Sequence, residues 1–274
     1  MLGCGRSSVR YTPADRSGEQ PLVRAIRRVA REFPRWGYRH VHALLNGNSR
    51  YGGWTVNLKR VRRLWRELGL ARPVRRKKPR ELGPKRGSAA NSCDRTPALF
   101  KNDVWCCDFV ADRTIDGRPL KWLTVVDEYT RECLALEVGS SMSGEDVRRV
   151  FARVVARRGV PRRVRSDNGS EFVCEALAGW LKGKGAEPTP VQPGSPWQNG
   201  VCEAFNGRFR DECLEGDEFE SVPDARGKGG WYRRVFNNIR PHSALGYKTP
   251  QQFSDECERG LHGRPPDGKR IKES

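Results

Sequence analysis

Two carboxylates in the second half of the chain are set where they could work together. Asp167 follows the short basic and β-branched run Arg162-Arg163-Val164-Arg165 and opens the turn Asp167-Asn168-Gly169, so it is predicted at the C-terminal edge of a strand. Glu203 lies in Asn199-Gly200-Val201-Cys202-Glu203-Ala204-Phe205-Asn206, one turn into a predicted helix. Carboxylates brought together from a strand end and a helix supply the oxygen donors that hard divalent cations take. Each also has a plainer reading: Asp-Asn-Gly is an ordinary turn, and a glutamate in a first helical turn is favoured by the helix dipole. The surrounding elements must decide.

Composition narrows the classes. The 274 residues suffice for one large domain or two modest ones. No run approaches the apolar length of a membrane span, and Met1 to Arg6 lacks the hydrophobic core of a secretory signal, so a cytoplasmic protein is expected. The nine cysteines are scattered and odd in number, with an adjacent pair at Cys106-Cys107, which is no disulfide framework. His40, His42, His242 and His262 have no paired cysteines at zinc-ligand spacing. Charge is more informative. Residues 1–92 hold 23 Lys and Arg against 5 Asp and Glu, a balance of +18, whereas residues 93–274 hold 29 against 28, a balance of +1. A polyanion-binding segment joined to a near-neutral domain is implied, with nucleic acid the expected polyanion and a solvated basic surface the alternative.

Residues 1–20 are polar and irregular and are expected to be poorly ordered. Leu22, Ile26, Val29 and Phe33 give helical spacing from Pro21 to Phe33; Tyr38 to Leu45 reads as a second helix closed by Asn46-Gly47-Asn48. Asn57 can cap a third, Leu58 to Leu68, with an apolar stripe of Leu58, Val61, Leu64, Trp65 and Leu68 and a basic face of Lys59, Arg60, Arg62, Arg63 and Arg66. Short helices joined by tight turns, the last one basic outside, suit a helix-turn-helix DNA-binding domain over 21–71; a small bundle with a solvated basic face is the alternative. A basic linker over 72–93 follows, in which Arg75, Arg76, Lys77 and Lys78 can track phosphates without fixed structure.

From about Asp94 the pattern changes. Val104 to Ala111, Leu120 to Val126 and Glu132 to Val138 read as strands, Gly144 to Arg158 as a helix buried through Val147, Val150, Phe151, Val154 and Val155, Arg162 to Ser166 as a strand, Ser170 to Lys182 as a helix, and Glu187 to Pro190 as a last short strand. The order β-β-β-α-β-α-β-α predicts a mixed five-stranded α/β sheet with helices on both faces.

Five stretches carry a resemblance: Leu123 to Glu132, Asp167-Asn168-Gly169-Ser170-Glu171-Phe172, Asn199 to Gly207, Arg210-Asp211-Glu212-Cys213-Leu214, and Arg240-Pro241-His242-Ser243-Ala244-Leu245-Gly246-Tyr247. With Asp108, Asp167 and Glu203 in order and 35 residues between the last two, the chain resembles second-frame transposases of the insertion sequence three family, whose core is ribonuclease-H-like and integrase-like. That resemblance implies a catalytic core over 94–215 and a C-terminal helical extension and tail over 216–274. It implies metal-dependent DNA strand cleavage and strand transfer, with Asp108, Asp167 and Glu203 as catalytic residues holding two Mg²⁺ ions, Asp108 bridging them, and Mn²⁺ able to substitute. It further implies element-end and target DNA as partners, a homo-oligomer on DNA, an upstream-frame partner or frameshift fusion, and a bacterial, nucleoid-associated setting without a membrane.

Alternatives remain within this reading. Asp103, Asp112 and Asp127 also lie near strand ends, and strand alternation groups Asp108 with Cys106 and Val110, away from Trp105, Cys107 and Phe109. Asn199, Asn206 and Arg210 share a predicted helix face with Glu203 and are expected to meet DNA phosphates, while Trp197, in a Pro- and Gly-rich loop Gln192 to Gln198 that is expected to be mobile, could stack on a base or pin that loop. Arg240-Pro241-His242 is expected to be structural. Asn237-Asn238 stands where the family usually has Tyr-Asn, and Gly227-Lys228-Gly229-Gly230 interrupts a stretch that is usually helical. An inactive DNA-binding derivative and a ribonuclease-H-type nuclease that cleaves without joining are the rival functions.

Overall fold

The computed structural model describes residues 17–47, 49–71, 97–167, 169, 172, 175–191 and 196–263, in two compact units that divide at residues 75 and 76. The linker residues Arg75, Arg76, Lys77 and Lys78 lie outside the described residues, as do residues 1–16.

The first unit is built from α1 (Gln20–Glu32), α2 (Tyr38–Gly47) and α3 (Leu58–Glu67). The predicted stripes meet in its core: Leu22, Ile26 and Val29 from α1, Val41, Leu44 and Leu45 from α2, Val61, Leu64 and Trp65 from α3. Leu58, expected in the last stripe, is 38% exposed. The Asn57 side chain caps α3, accepting from the Lys59 N–H at 2.8 Å. Only the α1–α2 connection is tight. Residues 48–57 join α2 to α3 and are fastened where the Asn46 side chain accepts from the Val56 N–H (2.9 Å) and donates to its carbonyl (3.0 Å). The order expected to begin near residue 21 begins earlier: Ser17–Glu19 forms a short 3₁₀ turn, and Glu19 is buried under Arg60 (2.9 Å) and Arg63.

The second unit is the mixed sheet. Its strands β1 (Val104–Arg113), β2 (Pro119–Asp127), β3 (Cys133–Gly139), β4 (Arg163–Ser166) and β5 (Glu187–Pro190) lie in the order β3-β2-β1-β4-β5. The first three form an antiparallel meander; β4 and β5 add in parallel beside β1. Helices α4 (Gly144–Arg158) and α5 (Glu175–Gly183) cover one face, over Trp105, Cys107, Leu123, Val125 and Val164. Helices α6 (Gly200–Phe209) and α7 (Val222–Asn238) cover the other, over Cys106, Val110, Trp122 and Val126. Asp108 therefore points to the α6 side, as its alternation predicts. The final helix, α8 (Pro250–Glu258), carries a capping box between Thr249 and Gln252. No described helix is long and apolar enough to cross a membrane.

The C-terminal extension completes the core. Phe219, Ala225, Tyr232 and Phe236 are buried with Trp122, Phe205 and Phe209 in one cluster. Contrary to the expectation from its glycines, α7 runs without a break from Val222 to Asn238. One glycine explains the departure: a Cβ on Gly229 would stand 2.4 Å from Trp122 Cζ3 and 2.8 Å from Cη2, whereas Gly227 and Gly230 have nothing within 4 Å. Trp122 needs the close approach, and burial outweighs the helix propensity that is lost. Gly227→Ala and Gly230→Ala should each stabilise by about 0.5–1 kcal/mol. Gly229→Ala should destabilise by about 1–2 kcal/mol net, because overpacking exceeds the same propensity gain. Urea unfolding of the three variants would show this opposition in sign; a gain for all three would contradict it. Asn237 has its own role here, its amide bonding both the N–H and the C=O of Cys133 at 2.9 Å to close the start of β3.

Candidate active site

The sheet register brings the first two carboxylates side by side. Cys106 on β1 pairs with Arg165 on β4, and Asp108 and Asp167 each lie two residues further on, so both follow the same alternation on neighbouring strands about 4.8 Å apart. Asp167 is exposed just beyond β4 and accepts from the Gly169 N–H at 3.2 Å, the turn that Asp-Asn-Gly predicts. The third carboxylate arrives on α6, which is seated on β1 and β2 through Val201, Cys202, Phe205 and Phe209. Thr124 bridges the layers, donating to the Asp108 carbonyl at 3.1 Å and meeting Cys202 Sγ at 3.4 Å. Glu203, next to Cys202, is left exposed in the first turn of α6.

Asp108 is the most constrained of the three. Its Oδ1 accepts from the Phe109 N–H at 2.8 Å and its Oδ2 from the Asn206 amide at 2.7 Å. Burial pushes its carboxyl up from the ordinary aspartate range, Asp167 and Glu203 add to that rise, and the Phe109 and Asn206 bonds oppose it. Two of the competing aspartates, Asp103 and Asp127, are committed elsewhere. Asp103 accepts from the Leu99 N–H (2.9 Å) and Arg163 (3.0 Å), and Asp127 accepts three backbone N–H groups, from Asn102, Tyr129 and Thr130. Glu132 pairs with Arg158 at 2.5 Å and Glu128 with Arg165. Asp112 lies further along β1, where its Oδ2 is buried without a partner.

Among the described residues, no three His, Cys, Asp or Glu side chains are closed up into a ligand set. The donor chemistry still fits a hard cation: three carboxylates, oxygen only, one of them raised by burial and by the charge of the other two. A divalent ion would relieve that repulsion.

Several residues expected to contact DNA are turned inward. Asn199 and Asn206 are buried, at 5% and 6% exposure, because α6 packs that face on β1; Asn206 holds Asp108, and Asn199 donates to the Cys107 carbonyl at 3.4 Å. In this structure both side chains meet the protein rather than the open surface where phosphates were expected. Arg210 is exposed where a π turn, Arg210–Leu214, follows α6. That turn presents Glu212 to Arg240 in a buried pair with three bonds of 2.6–2.9 Å, so the Arg-Pro-His motif is structural, with His242 packed edge-on to Phe236 at 4.6 Å. The Trp197 side chain lies outside the described residues, although its backbone belongs to the 3₁₀ turn Pro196–Asn199. In the first unit, Arg60 and Arg63 are occupied by Glu19, and Arg63 also by Glu67 at 3.1 Å, because Glu19 would otherwise be a buried unpaired charge. Lys59, Arg62 and Arg66 remain exposed on α3.

Arg165 was not predicted as part of the site. It is 5% exposed, pairs with the buried Glu128 at the end of the β2 strand, and donates to the Gln198 carbonyl at 3.3 Å, just ahead of α6. The motif Val126-Asp127-Glu128-Tyr129 held the signal for this partner, since a glutamate beside so apolar a run needs a buried cation.

The sheet sets carboxylates on adjacent central strands and on the helix packed over them, and matches to known proteins make the chain an integrase-core polynucleotidyl transferase, a DDE enzyme acting on DNA. Family models described as integrase core domain match residues 100–196 and 184–250, and one described as an HTH-like domain matches 17–78. An insertion element IS476 protein of Xanthomonas euvesicatoria is 38% identical over 93% of this chain and 70% of its own length; an insertion element IS407 protein of Burkholderia multivorans is 37% identical over 93% and 88%. Transposase InsD of insertion element IS2 from Escherichia coli is 28% identical over 83% of this chain and 76% of its own length. The fold is also that of a simian T-cell lymphotropic virus intasome chain, with a TM-score of 0.52 and 14% identity over 91% of this chain and 78% of that one. The chain belongs to the insertion-element transposases of the insertion sequence three family.

Proposed function

We propose that Asp108, Asp167 and Glu203 are the catalytic carboxylates and that they hold two Mg²⁺ ions, which Mn²⁺ can replace, with Asp108 shared. Enzymes of this class use divalent metals; when bound, such ions activate an oxygen nucleophile and stabilise the leaving oxyanion. The chain's own residues supply placement. Asp108 is fixed by Phe109 and Asn206, Asp167 stands beside it at the end of β4, and Glu203 is brought over both by α6. The site supplies no covalent nucleophile. Water adds to a phosphodiester at the element end and the P–O3′ bond breaks, leaving a free 3′-hydroxyl. That hydroxyl then attacks a target phosphodiester in line, so one P–O bond replaces another. Lys59, Arg62 and Arg66 on α3, with Arg210 beyond α6, are the exposed cations suited to phosphate contacts, and the linker residues Arg75 to Lys78 suit the same role. We further infer a homo-oligomer on DNA, an upstream-frame partner that helps to recognise element ends, and action in the bacterial cytoplasm at the nucleoid.

The observation that carries this reading is Asp108, raised by burial and by two facing carboxylates while both its oxygens are held by hydrogen bonds. Incubating the protein and Asp167→Asn with labelled element-end DNA and Mg²⁺ tests it. Wild type should cut and join, and the variant should do neither; identical behaviour, or no reaction by wild type, would remove the assignment. Cutting without joining would indicate a nuclease.

A further inference from the structure

Residues 93–274 are nearly neutral in sum, yet one edge of the sheet they carry is not. Strand β3 is an outer strand, flanked on one face by α4 and on the other by α7. From α7, Arg233 donates to the Cys133 carbonyl at 2.9 Å and Arg226 to the Val138 carbonyl at 3.4 Å, so both guanidinium groups lie along the strand. From α4 come Arg149, Arg153 and Arg157, spaced four residues apart and therefore on one helix face. Arg153 meets Glu137 of β3 at 3.3 Å, and Arg149 meets Asp146 at 2.5 Å. Among the described residues, Arg157, Arg226 and Arg233 bond only to backbone carbonyls, and each planar fork keeps donors to spare. Burial, then the adjacent Arg233, Arg153 and Arg158, lowers the Arg157 guanidinium from its ordinary range, as crowded cations require. Arg149, Arg153 and Arg226 also line an open groove of about 590 Å³ beside Val138 and Gly139.

We propose that this arginine seam along the β3 edge binds the phosphate backbone of duplex DNA, as a contact separate from the acidic trio and from the helical unit. Fixed forks matched to phosphate and a surplus of positive charge favour a polyanion. A second copy of the chain suits it poorly, because a two-fold contact through the seam would set arginine against arginine. The register places the seam two strands from Asp108: Asp108 pairs with Thr124 and Thr124 with Leu136, so the edge lies about 10 Å away laterally. The choice of DNA as the polyanion rests on the proposed function; the contact itself does not need the trio to be catalytic.

The test uses the full chain without Mg²⁺ and a duplex of arbitrary sequence, with binding followed by fluorescence anisotropy from 50 to 200 mM salt, values chosen as about the range over which counterion release is well resolved. Arg153→Gln with Arg157→Gln should reduce the slope of log K against log salt by about 2, since each phosphate contact contributes about 0.9. Arg153→Lys with Arg157→Lys should keep it. Lys59→Gln with Arg62→Gln in the first unit serves as the positive control. An unchanged slope in the glutamine pair, with the control responding, would overturn the proposal; so would a changed oligomeric state in light scattering without a changed slope. If that pair fails to melt cooperatively, Arg149→Gln with Arg226→Gln reads the same seam. Because no cleavage is measured, failure here is distinguishable from failure of the catalytic assignment.

Discussion

Asp108→Asn is expected to abolish cleavage and joining by a factor of at least ~10³ while making the protein more stable at neutral pH. The activity loss follows from removing the shared carboxylate: a charge interaction with bound metal that contributes ~4 kcal/mol to the transition state corresponds to that factor. The stability gain follows from the direction in which burial, Asp167 and Glu203 push the Asp108 carboxyl. A group whose folded pKa is raised contributes stability that is fully present below its unfolded pKa and is lost as pH rises through the folded one. At neutral pH the ionised Asp108 is therefore a load on the fold. The substitution removes the charge and keeps the shape, and turning the Asn206 amide over offers its oxygen, which is now buried without a partner, to the new N–H. Asp127, pushed up to about 6 by burial, also loses stability as pH rises, but it does so in both proteins and cancels in the comparison. Melting curves from about pH 4 to about pH 8 should show a gap that opens from the ordinary carboxylate range upward. Added Mg²⁺ should stabilise wild type more than the variant, since a ligand of the native state raises its apparent stability. A variant that melts below wild type at neutral pH, or a gap that persists unchanged in acid, would contradict the argument.

How much of this was legible before folding depends on which residue is asked. Periodicity located the five strands and α4 within a few residues, because apolar faces at helical and strand spacing are local properties, but it did not find α7. It also placed Asp108 on the correct face of β1, since alternation is fixed once Trp105 and Cys107 are assigned to the other side. Trp122 and Gly229 show the opposite case. They are 107 residues apart, and only their contact explains how a helix tolerates that glycine. The same holds for Asn199 and Asn206, which helical spacing grouped with Glu203 and Arg210 but which are buried while those two are exposed. Glu203 sits at the rim of α6 and these asparagines nearer its buried side, a division that depends on how the helix rolls on β1 and β2. Glu19 had no local signal at all. Its partners Arg60 and Arg63 belong to a helix some forty residues later, and their pairing with it is a contact that no local pattern announced.

Arg165→Met should cost about 3–5 kcal/mol of stability, because it leaves Glu128 as a buried charge without its main counter-ion. Removing both charges is a different experiment. Arg165→Met with Glu128→Leu replaces an ion pair by apolar groups of similar size, and such exchanges are often neutral or stabilising, so most of the lost stability should return. Activity should not return with it. Arg165 also donates to the Gln198 carbonyl, in the 3₁₀ turn that leads directly into the helix bearing Glu203 and Asn206, and no methionine restores that bond. With the turn untied, Glu203 loses the fixed approach on which its distance to Asp108 and Asp167 depends, and misplacement of a catalytic group by about 1 Å can cost two orders of magnitude. Urea unfolding and single-turnover cleavage on the same two variants separate the roles. A double variant that recovered both stability and cleavage would mean that Arg165 only neutralises Glu128; recovery of stability alone would identify it as a positioning residue for the helix that delivers the third carboxylate.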